Sequence, residues 1–260
     1  MTNIVLDEYL WAEDALNECS LGEKPSVTLC RVAKYYKENG FTQQETIKKL
    51  EAFVLRCDSN ISIPKWSDSI EHAVKMAFKY TTIRIDRIPI TVEEINIIHD
   101  NIKSSPQQRL AFTLLVMSKY WDIVREKNDH WVNTKDKDLM NMACIRTSVK
   151  KQSEMFAKLH SLGMIQFASR VDSLNTRVLF QGGDEIAMYI TDLRNLGYQY
   201  LKYFGGDFYE CVNCGLITKY VKKERGRMPK YCPDCARDIH LRQMVEAVTL
   251  MRKRQRNETC

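Results

Sequence analysis

Two closely spaced pairs of cysteines near the carboxyl end of the chain could together bind a metal ion. The pattern is Cys211-x2-Cys214, then seventeen residues, then Cys232-x2-Cys235. Two residues between cysteines let the backbone fold back so that both sulfurs face one ion, and two such turns complete a tetrahedral set of four thiolates. Gly215 follows the first pair, as tight turns favour. The spacing therefore predicts one bound zinc ion.

Four thiolates would fill the coordination sphere of that ion. Such a site has no open position for an activated water, so we expect the zinc to be structural rather than catalytic. The alternative is a redox role for one Cys-x-x-Cys pair, but this needs a thioredoxin-like strand and helix, which the flanking sequence does not predict. The segment, including LITKYV between the two pairs, resembles a zinc ribbon.

Positive charge is concentrated around these cysteines. Residues 208–256 contain 12 basic and 5 acidic side chains, whereas residues 1–207 contain 27 of each, so the net charge of +6 arises almost wholly in this segment. A basic segment on a neutral chain is typical of phosphate contact, although a solubilising surface would have the same composition. The residues predicted here to contact nucleic acid are Lys219, Lys222, Lys223, Arg225, Arg227, Lys230, Arg252, Lys253 and Arg254.

Residues 106–181 predict helices followed by a hairpin. An apolar helix follows Pro106, a short helix lies in TKDKDLMNMA with Thr134 as its N-cap, and RTSVKKQSEMFAKLHSLG predicts a longer helix ending at Gly163. Two strand-like runs, MIQFASRV and TRVLFQ, flank the turn-forming DSLN. This order resembles the winged helix-turn-helix family. The stretch MNMACIRTSVKKQSEMFAKLHSLGMIQF carries the resemblance, as a recognition helix that runs into the first wing strand.

The longer helix divides into a core face and a solvent face. Its residues predicted to point inward are Val149, Phe156, Leu159 and Leu162. In winged helix proteins that read DNA, residues near the start of this helix enter the major groove and the wing touches the backbone or minor groove. The resemblance therefore implies contacts by Arg146, Ser148, Lys150, Lys151, Gln152 and Lys158 on the helix, and by Arg170 and Arg177 on the wing. Many winged helices dock proteins instead, and that alternative stays open.

Short helices are predicted for the first third of the chain. Residues 27–38 carry apolar side chains at helical spacing, Thr42 with Glu45 forms a capping box that opens a second helix, and a third helix runs from about Lys65 to Lys79. The stretch NGFTQQETIKKLEAFVLRCDSNISIPKWSDSIEHAVKMAFKY resembles the small helical module that follows the catalytic core in some plasmid and phage primases. The resemblance covers this module only, so it implies no polymerase activity.

Two connecting regions complete the predicted order. TTIRIDRIPITVEEINIIHDNIKSS begins with an extended connector containing Pro89 and continues as a helix with an apolar stripe of isoleucines. Residues 182–207 predict a connecting helix. Asp184 and Glu185 would lie at its start, where acidic side chains favour the helix dipole.

Composition and missing motifs point to a non-catalytic protein. Hydrophobic residues make up 44% and charged residues 28%, with no apolar run of membrane-spanning length and an acidic start unlike a signal peptide. The chain lacks a glycine-rich phosphate loop and a nucleophile elbow, and its five histidines are isolated, so we expect neither an enzyme nor a small-molecule substrate. Scattered cysteines without an export signal indicate the cytoplasm.

These patterns predict a mainly α, multi-domain protein. Its expected modules are a helical domain (1–80), a connector and helix (81–105), a winged helix (106–181), a connecting helix (182–207) and a zinc ribbon with a basic helix (208–260). Because two nucleic-acid modules support each other, we expect a zinc-containing DNA-binding protein. It resembles phage or mobile-element proteins that act in replication or transcription in the bacterial host cytoplasm. The alternative is an adaptor whose modules dock host polymerase or replisome proteins.

Overall fold

The computed structural model describes residues 4–125, 128–169, 175–221 and 228–258, and the side chains of the last helix as far as Met251. The predicted mainly helical class is confirmed, with a few small sheets. The helices are α1 (Glu8–Asn17), α2 (Pro25–Glu38), α3 (Gln43–Cys57), α4 (Ser67–Lys79), α5 (Val92–Asn101), α6 (Ser105–Val124), α7 (Asp136–Met142), α8 (Val149–Ser161), α9 (Leu196–Tyr203) and α10 (Pro233–Glu258). The strands are β1 (Ile88–Thr91), β2 (Trp131–Val132), β3 (Ile165–Phe167), β4 (Thr176–Val178), β5 (Ile186–Ile190), β6 (Phe208–Glu210) and β7 (Ile217–Lys219).

The chain divides into two compact units, each assembled from separate segments. Unit 1 takes the residues up to 93, residues 118–131 and residues 182–193. Unit 2 takes residues 94–117, residues 132–181 and those from 194 onward. The division passes through α5 and α6, so these helices contribute residues to both units.

Four helices form the core of unit 1. α2 packs against α1, α3 and α4, and a short 3-10 turn at Ile63–Lys65 precedes α4. All four helices contribute to one apolar cluster, in which Leu29, Phe53 and Ile70 are fully buried. The three helices predicted between residues 27 and 79 are confirmed, because their apolar side chains recur at the helical period and meet in this cluster.

The predicted capping box at the start of α3 is present. The Thr42 hydroxyl accepts a hydrogen bond from the Glu45 amide at 3.3 Å, and the Glu45 carboxylate accepts one from the Thr42 amide at 2.8 Å. The bonds from the Thr42 backbone and side chain lower the pKa of the Glu45 carboxyl. Two amides that would otherwise lack partners at the helix start are satisfied in this way.

A buried ion cluster ties α1 to α2 in unit 1, and no sequence pattern indicated it. Glu8 places one carboxylate oxygen 2.6 Å from Lys34 Nζ and the other 3.6 Å from Arg31 Nε. The Ile83 amide donates a further hydrogen bond to Glu8 at 3.0 Å. Each of the three buried charges has a neighbour of opposite sign, which offsets part of the cost of burying them.

A two-stranded sheet in unit 1 replaces part of a predicted helix. β5 pairs antiparallel with β1, and Ile88 faces Ile190 across the pair. The sequence predicts a connecting helix over 182–207 that begins at Asp184 and Glu185. That prediction is wrong for 186–190, because these five residues form a strand whose backbone hydrogen-bond partners are on β1. α9 begins only at Leu196.

Residues 105–178 contain the predicted helix, short helix, longer helix and hairpin in that order. β3 pairs antiparallel with β4, and β2, a strand of two residues that the sequence did not predict, lies on the other side of β4. α7 begins at Asp136 with Lys135 as its N-cap and without a side-chain cap bond, so the prediction of Thr134 as N-cap is wrong. The helix simply starts later than its sequence suggested.

The inward face of α8 differs from the prediction at both ends. Phe156 and Leu159 are buried as expected, and Met155 joins them. Val149 is 76% exposed and Leu162 38% exposed, so their assignment to the core is wrong. Val149 is the first residue of α8 and Leu162 is its C-cap. The described residues around α8 cover the middle of its apolar stripe but not these two ends.

α9 packs closely within unit 2. Tyr200 contacts Phe112 and Phe204, with ring centroids 5.2 and 5.1 Å apart. Gly197 lies so near the end of α7 that a Cβ at this position would be 2.1 Å from the Ala143 carbonyl oxygen. Close approach of the two backbones therefore requires glycine here.

α10 is the longest helix and is unlike the others. Every described side chain from His240 to Met251 is exposed. Within the described part of the chain, no helix is both long enough and apolar enough to span a membrane.

Candidate metal centre and basic surfaces

The first cysteine pair lies in a tight turn at the end of a hairpin. β6 and β7 pair antiparallel from Phe208 opposite Lys219 to Glu210 opposite Ile217. Immediately beyond, the Cys211 amide donates to the Leu216 carbonyl at 3.0 Å, and the Gly215 amide donates to the Cys211 carbonyl at 2.8 Å. Gly215 has a φ of +70°, a left-handed conformation that glycine adopts without steric cost.

The second pair lies at the start of α10. Cys232 immediately precedes the helix and Cys235 is in its first turn. Two contacts hold this turn against the hairpin: the Tyr209 hydroxyl donates to the Tyr231 carbonyl at 3.1 Å, and the Val212 amide donates to the Lys230 carbonyl at 2.9 Å. These bonds bring the two cysteine pairs together.

The four sulfurs form one compact cluster, as their spacing predicted. All lie within 4.8 Å of one another, and the Sγ atoms of Cys214 and Cys232 are 3.8 Å apart. Sulfurs bound at ~2.3 Å around a tetrahedral ion would be about 3.8 Å apart. The same separation is far too long for a disulfide, whose sulfurs lie ~2.05 Å apart. The four cysteines could therefore bind one metal ion, and their geometry is compatible with zinc.

Local hydrogen bonds prepare one of these thiols for ionisation. Burial opposes ionisation of Cys211, but the backbone amides of Cys232, Cys214 and Asn213 donate toward its sulfur and lower its pKa to about 6. By contrast, burial raises the pKa of Cys144, a cysteine outside the cluster, to about 11. Within the cluster the pKa values of Cys214 and Cys232 are also raised, chiefly by burial, and that of Cys235 is raised too. A thiolate is the form that binds metal, so Cys211 is the clustered sulfur whose surroundings best suit a cation.

α9 provides a support for the metal centre that sequence reasoning missed. Asn195, which immediately precedes this helix, donates its side-chain amide to the Ile217 carbonyl at 2.9 Å. Arg194 donates to the Cys214 carbonyl at 2.6 Å. Near the cluster itself, the Asn213 side-chain amide donates to Cys235 Sγ at 3.3 Å. The Arg194 and Asn195 contacts join residues at least twenty positions apart, and no local motif indicates them.

The start of α8 presents a basic surface. Arg146, Lys150 and Lys151 are all exposed there. The Ser148 hydroxyl caps the helix by accepting a hydrogen bond from the Lys151 amide at 3.4 Å, and Gln152 donates its side-chain amide to the Thr147 carbonyl at 3.1 Å. Ser148 and Gln152 were predicted to contact nucleic acid, but both already have local hydrogen bonds.

The remaining predicted contacts are more dispersed. Lys158 is exposed in the last turn of α8, about 12 Å along the helix from Lys150. Arg177 is half-buried on β4, whereas Lys219 and Lys230 are exposed beside the metal centre. Five predicted contacts lie outside the described residues: Arg170, Lys222, Lys223, Arg225 and Arg227. Three more lie on α10 beyond its last described side chain: Arg252, Lys253 and Arg254.

Four thiolates around one tetrahedral ion would leave no coordination position for water, so the centre is suited to a structural role. Comparison of the chain with protein-family models, with curated proteins and with solved structures yields no match.

Proposed function

We propose that the chain is a zinc-containing, non-catalytic DNA-binding protein of phage or mobile-element type that acts in replication or transcription in the cytoplasm. The observation that carries this proposal is the two-sided character of α8. Lys150 and Lys151 are exposed in its first turn, while Phe156 and Leu159 hold its other face in the core. A helix that is anchored in this way can present cations to a phosphate backbone without losing its packing.

The elements around α8 agree with a winged helix-turn-helix. The order along the chain is α6, β2, α7, α8 and then the β3–β4 hairpin. In the sheet, whose order is β2-β4-β3, the hairpin lies beside β2. In proteins of that fold, the helix at the position of α8 enters the major groove. Arg146, exposed just before α8, is then suited to contact guanine, and the two lysines are suited to contact phosphate.

Zinc is the metal that we propose for the four cysteines. A closed set of four thiolates is typical of structural zinc, and a reducing compartment would keep these thiols available. The ion would fix the hairpin and the start of α10 relative to each other. Lys219 and Lys230, both exposed, would then form part of a rigid cationic surface.

Titration with labelled nucleic acids tests the proposal. We expect the full chain to bind duplex DNA with an affinity that falls steeply as salt rises, because phosphate contacts release counterions. Single-stranded DNA and RNA of the same length, titrated at the same two salt concentrations, establish the preferred form. Changing Lys150→Glu together with Lys151→Glu removes two cations. It should make the slope of log K against log salt shallower by about 1.8.

The matched control is the pair Lys48→Glu and Lys75→Glu. Both lysines are exposed on helices of unit 1. Replacing them changes the net charge by the same amount as the α8 pair does. If the control weakens binding as much as the α8 pair, α8 has no special role. If the unmodified chain binds no nucleic acid at low salt, the proposed function is wrong.

One observation favours the adaptor as a second candidate. Val149 is 76% exposed at the start of α8, and Phe167 on β3 is 42% exposed. Apolar side chains at such positions are suited to a protein partner as well as to DNA. Failure to bind any nucleic acid at low salt, with the metal centre intact, would favour this candidate.

A further inference from the structure

α10 carries an apolar stripe that no described residue of the chain covers. Along this stripe the exposed fractions are 52% for Leu241, 52% for Met244, 66% for Val245, 45% for Val248 and 62% for Met251. A helix that is surrounded by water normally carries polar residues on every face, and a continuous apolar stripe indicates an interaction surface.

The spacing of the stripe is that of a helix which pairs with another helix. Leu241, Met244, Val248 and Met251 follow one another at intervals of three, four and three residues, as in the a and d positions of a heptad repeat. Val245, next to Met244, widens the same face. The stripe is about 15 Å long along the helix axis.

We propose that α10 pairs with α10 of a second copy of this chain, in antiparallel orientation. When the pair is centred on Glu246, Leu241 lies opposite Met251 of the second copy and Met244 lies opposite Val248. The stripe is therefore complementary to itself under a twofold axis, as a symmetric dimer requires.

The distribution of charge along α10 favours the second copy and this orientation. Asp238 flanks the amino-terminal end of the stripe, and residues 252–254 and 256 at the carboxyl-terminal end are all basic. In the antiparallel register Asp238, eight residues before Glu246, lies within about 3 Å along the axis of position 252 of the other copy, an arginine six residues after Glu246. Both positions flank the same side of the stripe, so they face each other, and this happens twice by symmetry. A parallel pair would instead place the two basic ends side by side, and like charges repel.

The dimer would also set the distance between its two metal centres. Cys235 lies eleven residues from Glu246, so the two copies of Cys235 would be about 33 Å apart along the helix pair. One turn of B-DNA is ~34–36 Å. The two basic ribbons would then face sites one turn apart. This last step rests on the proposed DNA-binding function, whereas the dimer itself does not.

Sedimentation equilibrium of the full chain without nucleic acid tests the pairing. We expect a mass of twice 30.4 kDa at high protein concentration, falling toward one chain on dilution because the stripe is short. Met244→Glu combined with Val248→Glu should give the single-chain mass at every concentration. A single-chain mass for the unmodified protein at the highest concentration would overturn the proposal, as would a dimer that survives both glutamates.

Gln243→Glu combined with Leu250→Glu is the matched control, because it adds the same charge on the face of α10 opposite the stripe. This variant should remain a dimer. One metal ion per chain in every variant shows that α10 still begins at an intact centre. Duplex binding is measured separately, so the two proposals can be distinguished. A chain that binds duplex DNA but does not dimerise contradicts only the pairing, and a chain that dimerises but binds no nucleic acid contradicts only the proposed function.

A charge exchange tests the orientation. Asp238→Arg alone and Arg252→Asp alone should each weaken the dimer, because each places like charges opposite one another in the antiparallel register. The two changes together should restore it toward the unmodified strength. A double variant as weak as the single variants would rule out this register.

Discussion

Asn195 combines an unusual backbone conformation with a contact that supports the metal centre. Its φ of +50° is left-handed, a conformation that asparagine tolerates better than most residues. From this position its side-chain amide reaches the Ile217 carbonyl on β7. One residue therefore both turns the chain into α9 and ties the hairpin to that helix.

Replacing Asn195 by glycine or alanine separates these two roles. Asn195→Gly keeps the left-handed conformation and loses only the side-chain bond, so amides of β6 and β7 should exchange hydrogen faster while α9 is retained. Asn195→Ala adds the cost of a left-handed alanine, ~1–2 kcal/mol. The free energy of unfolding should therefore fall further for alanine than for glycine. Unchanged exchange in the glycine variant would show that the amide bond does not hold the hairpin.

Gly197 limits how closely α9 can approach α7. A methyl group at this position would be 2.1 Å from the Ala143 carbonyl oxygen, so Gly197→Ala must push the two backbones apart. We expect a loss of about 1–3 kcal/mol in the free energy of unfolding, measured by denaturant titration. The control is Gly182→Ala, where a Cβ would meet nothing within 4 Å. Equal stabilities for the two variants would contradict the close approach.

The β6–β7 hairpin is too small to be stable alone. Each strand has three residues, and an isolated two-stranded hairpin is marginal in water. Its supports are the contacts from Arg194 and Asn195 and, as we propose, a metal ion bound by the four cysteines. A structural ion contributes its binding free energy directly to folding. Order in this element should therefore depend on the metal.

Metal analysis with matched cysteine variants tests that dependence. The unmodified chain should contain about one zinc ion, and Cys232→Ser should lose it. Cys57→Ser, which changes a cysteine of α3 outside the cluster, should retain the ion. Chelation should speed hydrogen exchange in β6, β7 and the start of α10 without changing exchange in α1–α4. A hairpin that stays equally protected after metal removal would argue against a structural role for the ion.

At the scale of the whole molecule, charge and apolar surface are distributed unevenly. Residues 1–207 carry balanced charge, whereas the segment that holds the metal centre and α10 is basic. The exposed apolar residues of α10 lie in that same segment. Both proposed partners, a polyanion and a second copy of the chain, would therefore be bound through the last fifth of the sequence, in addition to α8.

Features that depend on neighbouring residues could be read from the sequence alone. The Thr42–Glu45 capping box spans three residues, and the apolar stripes of α2, α3 and α4 repeat at the helical period. Each cysteine pair has a spacing that suits one ion, which is why the four-cysteine cluster was predicted correctly. In each case the signal is carried by residues close together in the chain: a capping box, one apolar stripe or one cysteine pair. The two cysteine pairs are then joined by the longer-range contacts of Tyr209 and Val212.

Features that depend on distant contacts were decided only by the tertiary structure. Residues 186–190 form a strand because β1, about a hundred positions earlier, offers them a partner. Val149 and Leu162 belong to an apolar stripe, but no described residue covers the ends of α8, so they are exposed. The support of the hairpin by Arg194 and Asn195 likewise has no local signature. Periodicity shows which side of an element is apolar, but burial depends on what packs against that side, and only the folded chain brings those partners together.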